Sequence, residues 1–199
     1  MSEKEVLVGS PSNIHIIENF VDKELLEYTL DILKSANWRR GPFNWVCHPY
    51  EQEHQGAFPD LLATVLPMAS YMYGAVLDRH SQSFVKWTVD DTLEVHTDAE
   101  NADCKLPHDN AGHAVSPATI LYTTLVYFND DYDGGELNFP HHKIKLKPKP
   151  GTLVMFPSTC MYAHEVLPIT AGDRYTYSMF CTSKSLLNMF ADMRAALET

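Results

Sequence analysis

The sequence predicts a mainly-β α+β fold, in which a barrel or jelly roll carries N-terminal helices packed on its outside. Helical periodicity dominates before residue 80, whereas short segments with strand-like alternation follow one another from residue 82. Turn signals such as DDYDGG, PKPG and TAGD separate these segments. Apolar residues make up 45% of the chain and charged residues 21%, a balance that allows a folded domain to bury a real core. A run of short strands after a helical opening is typical of such a barrel.

The opening of the chain predicts a short strand followed by a capped helix. Residues 13–20, NIHIIENF, have the composition of a strand. Asp22 precedes a helical period over about 23–36 and is placed to cap it. The apolar face of this helix consists of Leu25, Leu26, Leu30 and Leu33.

The next part of the chain predicts irregular structure and then a second helix. Residues 38–58 are rich in Pro, Gly, His and aromatic residues, which favours loops or short strands. A helix is expected over about 59–73, and Pro67 should bend or divide it.

Eight strand-like segments then form the predicted barrel: residues 83–90, 92–97, 119–129, 135–139, 143–147, 152–156, 161–167 and 173–182. Residues 99–118 interrupt them with a long loop that begins directly after Asp98, and we expect it to be a substrate lid. The end of the chain, about 184–197, has helical periodicity. We therefore expect one domain over 1–199, with an N-terminal strand and helices in 1–80, the barrel in 81–182 and a C-terminal helix in 183–199.

Charge and cysteine spacing weaken several classes of function. The formal net charge is −11, which weakens any hypothesis of nucleic-acid binding because phosphate contacts need concentrated Lys and Arg. The four cysteines show no CxxC pattern, so neither a zinc knuckle nor a disulfide framework is indicated. The sequence has no apolar run of membrane-spanning length and no signal-peptide pattern, so we expect a soluble, cytoplasmic protein without membrane contact. The sequence does not indicate an oligomeric state.

One short stretch combines an imidazole and a carboxylate at a strand end. In LEVHTDAE, residues 93–100, His96 and Asp98 flank a single threonine, so both side chains lie on the same side of an extended chain. A surface salt bridge is the simpler interpretation of such a pair. A metal site is the alternative, and it requires further ligands elsewhere in the chain.

The last predicted strand, DRYTYSMFCT at 173–182, carries a polar stripe opposite an apolar face. Arg174, Thr176 and Ser178 alternate with aromatic and sulfur-containing residues that could pack against the outer helices. The polar stripe would then point into the barrel, where a buried arginine needs an anionic partner. An edge strand with Arg174 in solvent is the more usual interpretation of such a stripe. If the stripe instead points into the barrel, a carboxylate ligand suits the guanidinium fork, which binds carboxylates with two hydrogen bonds.

His164 lies ten residues before Arg174 and completes a set with the first pair. His96, Asp98 and His164 form a two-histidine, one-carboxylate combination that occupies one face of a metal and leaves the other open. This combination is the usual ligand set of non-haem Fe(II) oxygenases.

The order His-x-Asp, His and then Arg ten residues later resembles the 2-oxoglutarate/Fe(II)-dependent dioxygenase superfamily, and most closely its prolyl 4-hydroxylase-like branch. TLVYFNDDYDGGELNFP (124–140) is similar to the strand, acidic turn and Gly-Gly-Glu of that branch. PKPGTLVMFP (148–157) and HEVLPITAGDRYTYSMF (164–180) match two further segments, and IIENFVDKELLEYTLDIL resembles its N-terminal strand and helix. The resemblance covers nearly the whole chain, and residues 38–80 and 99–118 are the least diagnostic.

The resemblance implies a fold, a ligand set and a reaction. The fold would be a double-stranded β-helix, the cupin-like jelly roll. His96, Asp98 and His164 would hold Fe(II), while Arg174 and Tyr127 would bind the distal carboxylate of 2-oxoglutarate. A third group, the Thr176 hydroxyl, would add to that carboxylate site. O2 would be the oxidant, ascorbate an accessory reductant, and the reaction a hydroxylation that yields succinate and CO2.

The resemblance also implies a substrate, with two departures from the pattern. A prolyl residue in a peptide or protein is expected, but Ile120 stands where prolyl hydroxylases often carry an arginine near the bound peptide. The glycine common shortly before His-x-Asp is missing in VDDTLEVHTD. Another amino-acid or small-molecule substrate and a non-catalytic cupin-like binding protein are the alternatives. The nucleic-acid demethylase branch is disfavoured, because Phe180 occupies the place of its second arginine and the chain is acidic.

Overall fold

The computed structural model describes residues 13–48, 58–99, 120–183 and 185. The expected lid lies outside the described residues, apart from its first residue. Nearly all of the expected C-terminal helix also lies outside them. The lid, that helix and the extent of the single domain therefore stay predictions.

Two helices support the sheets on one side. The first, α1 (Lys23–Ser35), begins as predicted: the side chain of Asp22 accepts a hydrogen bond of 2.9 Å from the backbone nitrogen of Leu25. The second, α2 (Leu62–Tyr73), runs through Pro67 without being divided. Its Val65 and Ala69 are completely buried, and this packing outweighs the backbone hydrogen bond lost at the proline. No helix in the described part of the chain is both long and apolar enough to cross a membrane.

The strands of the described chain, in sequence order, are β1 (His15–Ile17), β2 (Arg39–Arg40), β3 (Trp45–Cys47), β4 (Leu77–Trp87), β5 (Leu93–His96), β6 (Tyr122–Tyr127), β7 (Asp133–Gly134), β8 (Leu137–Phe139), β9 (Ile144–Leu146), β10 (Leu153–Pro157), β11 (His164–Val166), β12 (Ile169–Ala171) and β13 (Arg174–Ser183). They form a major sheet in the order β1-β10-β6-β13-β4-β3-β2 and a minor sheet in the order β5-β11-β8-β9. The short strands β12 and β7 pair separately. In the centre of the major sheet, β13 is antiparallel to both β4 and β6.

The two faces of the major sheet have different partners. Its outer face contributes Tyr177, Met179 and Cys181 to a core that also contains Leu33 of α1 and Val65 of α2. The inner face packs toward the minor sheet: Tyr127 of β6 and Phe156 of β10 share a core with Leu137 and Phe139 of β8. The predicted mainly-β fold with helices on the outside is confirmed.

The predicted strands differ from the structure at several boundaries. β4 begins at Leu77, earlier than the alternation indicated, because its first half is only partly buried and lacks a regular apolar period. Residues Cys160–Tyr162 form a 3₁₀ turn instead of extending the strand that begins at His164, since the backbone nitrogens of Tyr162 and Ala163 bond back to Thr159 and Cys160.

One glycine attaches the N-terminal strand and helix to the barrel. Gly151 has a φ of +81°, its nitrogen donates to the Tyr127 carbonyl, and its carbonyl accepts from Val21. A Cβ at this position would lie 2.8 Å from the Val21 carbonyl oxygen, a contact that real side chains do not make. Only glycine fits this junction.

We predict that Gly151→Ala lowers the free energy of unfolding more than Gly74→Ala does. Gly74 also has a positive φ, of +61°, but a Cβ there would meet no atom within 4 Å. Gly74→Ala should therefore cost only the backbone strain of about 1 kcal/mol, and Gly151→Ala about 2 to 3 kcal/mol. Urea unfolding of both variants measures the difference. If both variants lose the same free energy of unfolding, the contact with Val21 does not contribute to the difference.

Candidate active site

Two antiparallel strands of the minor sheet bring the predicted histidines together. His96 ends β5, His164 begins β11, and the two are paired directly opposite each other. Asp98 follows two residues after His96. The Nε2 of His96 lies 3.6 Å from one Asp98 carboxylate oxygen, and the Nε2 of His164 lies 3.7 Å from the other. One potential ligand atom from each of the three residues lies within 4.8 Å of the other two.

Backbone carbonyls determine which nitrogen of each histidine faces the cluster. The Nδ1–H of His96 donates to the Glu94 carbonyl at 2.9 Å, and that of His164 donates to the Tyr162 carbonyl at 3.1 Å. Because a carbonyl can only accept, both rings carry their proton on Nδ1 when neutral. Each Nε2 lone pair is therefore available to a metal ion, with the ring orientation fixed from behind.

Two buried hydroxyl groups orient the carboxylate of Asp98. The Thr123 hydroxyl, on β6, donates to Asp98 Oδ2 and lies 2.8 Å from the Ser158 hydroxyl. Ser158 is in turn held by backbone bonds from its nitrogen to Leu121 and from Ala99 to its carbonyl. The major sheet thus fixes the position of a carboxylate that follows a strand of the minor sheet.

The three groups have mutually dependent charges. Burial raises the pKa of Asp98, but His164, His96 and the Thr123 hydroxyl outweigh it and hold that pKa below its usual value. Burial also opposes the charged form of His96, but Asp98 prevails and raises its pKa. The pKa of His164 is lowered, mainly by burial. At neutral pH the site therefore presents an ionised carboxylate beside a neutral imidazole.

Arg174 lies inside the barrel as a buried cation. Its residue is 2% exposed, and its guanidinium carbon lies 4.9 Å from the centre of the Trp87 ring. Its Nη1 donates to the Gly135 carbonyl, but within the described part of the chain its Nε has no hydrogen-bond partner. No carboxylate among the described residues forms an ion pair with it. A buried charge in this state is costly, and an anionic ligand would remove the cost.

Tyr127 and Thr176 lie beside Arg174 on the inner face. They are paired opposite each other on β6 and β13, and both are buried. The Tyr127 hydroxyl has no hydrogen-bond partner in the described residues, and the guanidinium carbon of Arg174 lies 5.7 Å from the centre of the Tyr127 ring. Burial raises the pKa of Tyr127 although Arg174 opposes this, so the hydroxyl keeps its proton and can donate.

The histidine cluster and the arginine line the same interior. The His164 ring contacts Phe156 at 4.7 Å and Phe139 at 5.6 Å between ring centres. Both phenylalanines belong to the core that contains Tyr127. The His96 side chain is 21% exposed and that of His164 only 6%, so solvent reaches the cluster from the His96 side.

The donors fit a ferrous ion and a 2-oxo dicarboxylate. Two imidazoles and one carboxylate are the usual set for non-haem Fe(II) with open coordination positions. The unpaired Nε of Arg174 and the unpaired hydroxyl of Tyr127 are buried donors that suit a carboxylate.

A family comparison agrees with this fit. Residues 78–182 match the sequence model of the 2OG-Fe(II) oxygenase superfamily. The chain belongs to the 2OG-Fe(II) oxygenase superfamily. Fe(II) and 2-oxoglutarate are the metal and the cosubstrate that this membership implies for the His96, Asp98 and His164 cluster.

Curated relatives match over parts of their length. Prolyl 3-hydroxylase 2 of Mus musculus is 36% identical over 66 residues, which are 31% of this chain and 9% of that protein. A PKHD-type hydroxylase of Cupriavidus pinatubonensis is 28% identical over 121 residues, which are 58% of this chain and 45% of that protein. The chain thus spans less than half the length of either relative.

Solved structures share the fold at low identity. The viral collagen prolyl hydroxylase from Paramecium bursaria Chlorella virus-1 has a TM-score of 0.60 and 17% identity, covering 87% of this chain and 97% of the other. The Trichoplax adhaerens prolyl hydroxylase in complex with a hypoxia inducible factor peptide has a TM-score of 0.62 and 15% identity, covering 88% and 86%. A Pseudomonas putida prolyl-4-hydroxylase has a TM-score of 0.61 and 15% identity, covering 87% and 94%.

Several further residues, which the sequence patterns did not indicate, lie around these groups. The hydroxyls of Thr123 and Ser158 orient Asp98, and Trp87 lies under the guanidinium of Arg174. Thr123 shares the inward alternation of Tyr127 along one strand, and that alternation could have indicated it. The partnership of Thr123 with Asp98 depends on how the two sheets face each other, which no local pattern specifies.

Proposed function

We propose that this protein hydroxylates a prolyl residue in a peptide or protein, and that His96, Asp98 and His164 hold the Fe(II). The observation that carries the proposal is the shared interior of the histidine cluster and a buried arginine without a carboxylate partner among the described residues. A cluster of salt bridges would explain the two histidines and Asp98. It would not explain why Arg174 is buried without a carboxylate partner among the described residues, at a cost in free energy.

Each side chain has a separate role in this proposal. The Nε2 atoms of the two histidines and the carboxylate of Asp98 are the metal ligands. Arg174 and Tyr127 bind the distal carboxylate of 2-oxoglutarate, and Thr176 contributes a hydroxyl from the neighbouring strand. Fe(II) held by these ligands would supply the activation of O2 that couples the oxidative decarboxylation of 2-oxoglutarate to hydroxylation of the substrate, with one oxygen atom of O2 in succinate and the other in the product.

The protein contributes position and exclusion of water. The Nδ1–carbonyl bonds keep both rings aimed at one point, and the Thr123 hydroxyl keeps the carboxylate oxygens in place. Phe139 and Phe156 cover the His164 ring, so a reactive centre there is shielded from bulk water on that side. Among the described residues, the side of the cluster at His96 is more exposed than the side at His164, and we expect the substrate to enter there.

The prolyl substrate is supported by likeness alone. Three of the structures with this fold are prolyl hydroxylases by name, and the curated matches include a prolyl 3-hydroxylase. Ile120 favours the second candidate, a different amino-acid side chain or a small molecule. It is 8% exposed, so the arginine that prolyl hydroxylases often carry near the bound peptide is replaced by a buried apolar residue.

We predict that the Fe(II)-loaded protein forms succinate from 2-oxoglutarate when O2 is admitted, and that a proline-containing peptide raises the rate. Protein reconstituted anaerobically would be exposed to O2 with a peptide or with its proline-to-alanine counterpart. Succinate is then quantified, and peptide mass gain is followed by mass spectrometry. Arg174→Ala should remove most of the activity because the distal carboxylate loses its cation.

The outcomes separate the parts of the proposal. Succinate that rises only with the proline peptide, together with a gain of one oxygen atom, supports prolyl hydroxylation. Succinate that ignores the peptide and disappears in Arg174→Ala keeps the enzyme but rejects that substrate. No succinate from folded, iron-loaded protein would favour a non-catalytic binding protein.

We further predict that Thr123→Val weakens Fe(II) binding about tenfold to a hundredfold, because Asp98 loses the hydroxyl that orients its carboxylate. The matched control is Thr124→Val, one residue along the same strand. The buried hydroxyl of Thr124 donates to the Met179 carbonyl, at 3.0 Å, on the helix side of the sheet. Anaerobic competition with a colorimetric chelator measures the affinity of both variants. If the two variants bind Fe(II) equally well, the Thr123 hydroxyl has no role in orienting the site.

A further inference from the structure

Tyr132 is a buried tyrosine in the acidic turn between β6 and β7. The residue is 2% exposed and shares a core with Val85 and Trp87 of β4 and Val166 of β11. The turn has the sequence DDYDGG, in which the neighbours of the tyrosine are acidic and polar. The ring of Tyr132 points into the barrel from this turn. Strand alternation does not predict that direction, because the residue lies outside a strand.

The ring of Tyr132 is held in place, but its hydroxyl is not. Lys147 donates to the Tyr132 carbonyl, and its ammonium lies 4.8 Å from the centre of the ring. The Tyr132 hydroxyl is buried and has no hydrogen-bond partner among the residues that the structure describes. A buried hydroxyl without a partner is rare in native proteins, and a ligand is one of the few ways to satisfy it.

The hydroxyl end of the ring lies beside the residue that holds Arg174. A Cβ built on Gly135 would lie 3.4 Å from Tyr132 Cε2, the ring atom next to the carbon that bears the hydroxyl. The carbonyl of the same Gly135 accepts the hydrogen bond from Arg174 Nη1. Trp87, over which the guanidinium lies, belongs to the same core as Tyr132.

The pKa of Tyr132 is consistent with a position of its hydroxyl near Arg174 and Tyr127. Burial is the largest cause of the raised pKa of Tyr132, and Tyr127 and Arg174 are among the groups that act on it. The hydroxyl therefore keeps its proton at neutral pH and can donate a hydrogen bond. Three buried donors near one another thus lack partners: Arg174 Nε and the hydroxyls of Tyr127 and Tyr132.

We propose that Tyr132 is a fourth donor, beside Arg174, Tyr127 and Thr176, to the distal carboxylate of 2-oxoglutarate and contributes to selection of a 2-oxo acid that ends in a carboxylate. The proposal rests on the proposed roles of Arg174 and Tyr127. A carboxylate has about four lone-pair sites, so it can accept one hydrogen bond from each of the four groups. A 2-oxo acid with an apolar end would leave these donors unpaired, and such unpaired donors are a strong source of discrimination.

The test compares two ligands on one substitution. Tyr132→Phe removes only the hydroxyl. Binding of 2-oxoglutarate and of 2-oxopentanoate, which ends in a methyl group, would be measured by anaerobic calorimetry on Mn(II)-loaded protein. The Kd of 2-oxoglutarate should rise about tenfold to a hundredfold, because a hydrogen bond to a charged group is lost. The Kd of 2-oxopentanoate should not change.

Stability without ligand gives a second readout. Because the hydroxyl is unpaired in the ligand-free chain, Tyr132→Phe should not lower the melting temperature, whereas the increase in melting temperature caused by 2-oxoglutarate should shrink. Tyr177→Phe is the matched control: its hydroxyl, on the helix side of β13, is bonded to Gln82. That variant should leave the 2-oxoglutarate Kd unchanged.

Arg174→Ala separates the two levels of the proposal. If Arg174→Ala weakens 2-oxoglutarate but not 2-oxopentanoate, while Tyr132→Phe changes neither, only the role of Tyr132 is overturned. If Tyr132→Phe weakens both ligands equally, the ring serves packing and the proposal is again overturned. If Arg174→Ala does not discriminate between the ligands, the carboxylate site itself is misassigned.

Discussion

The register of β13 in the major sheet determines what the interior of the barrel contains. β13 is paired on both sides, with β4 and β6, so every second side chain points to the helices and every other one to the interior. In the observed register Tyr175, Tyr177 and Met179 join the helix-side core, and the alternate residues Arg174 and Thr176 face inward. A slip of one residue would bury the guanidinium among the helices and turn aromatic rings into the cavity. Packing of the apolar face of β13 against the helices therefore determines that its polar face points into the interior.

The interior that results is divided between two sheets. The minor sheet supplies the two histidines through one cross-strand pair, and the major sheet supplies the arginine, Tyr127 and the hydroxyls that hold Asp98. The major sheet contributes groups that are unfavourable when nothing is bound, such as the buried cation of Arg174 and the unpaired hydroxyl of Tyr127. These groups reduce the stability of the empty chain and increase the affinity for a ligand that satisfies them. This trade between stability and binding is common in active sites.

Much of the site could be predicted from sequence, because its residues lie in strongly patterned segments. The alternation of β13 indicated that Arg174 points inward, and the spacing of His96 and Asp98 indicated a shared side. The capping of α1 by Asp22 could also be predicted from the sequence. The exact opposition of His96 and His164 could not be read, since register between distant strands depends on the whole sheet. The inward turn of the Tyr132 ring and the continuity of α2 through Pro67 also depend on tertiary packing, which outweighs local preference.

The most direct test of the account is an anaerobic absorption titration of the Fe(II)-loaded protein with 2-oxoglutarate. A 2-oxo acid chelated to Fe(II) produces a visible charge-transfer band that neither component gives alone. We predict a band that saturates at one equivalent per chain and is absent from the double variant His96→Ala/His164→Ala. A folded protein that binds Fe(II) stoichiometrically but gives no band, or gives the same band after loss of both histidines, would contradict it.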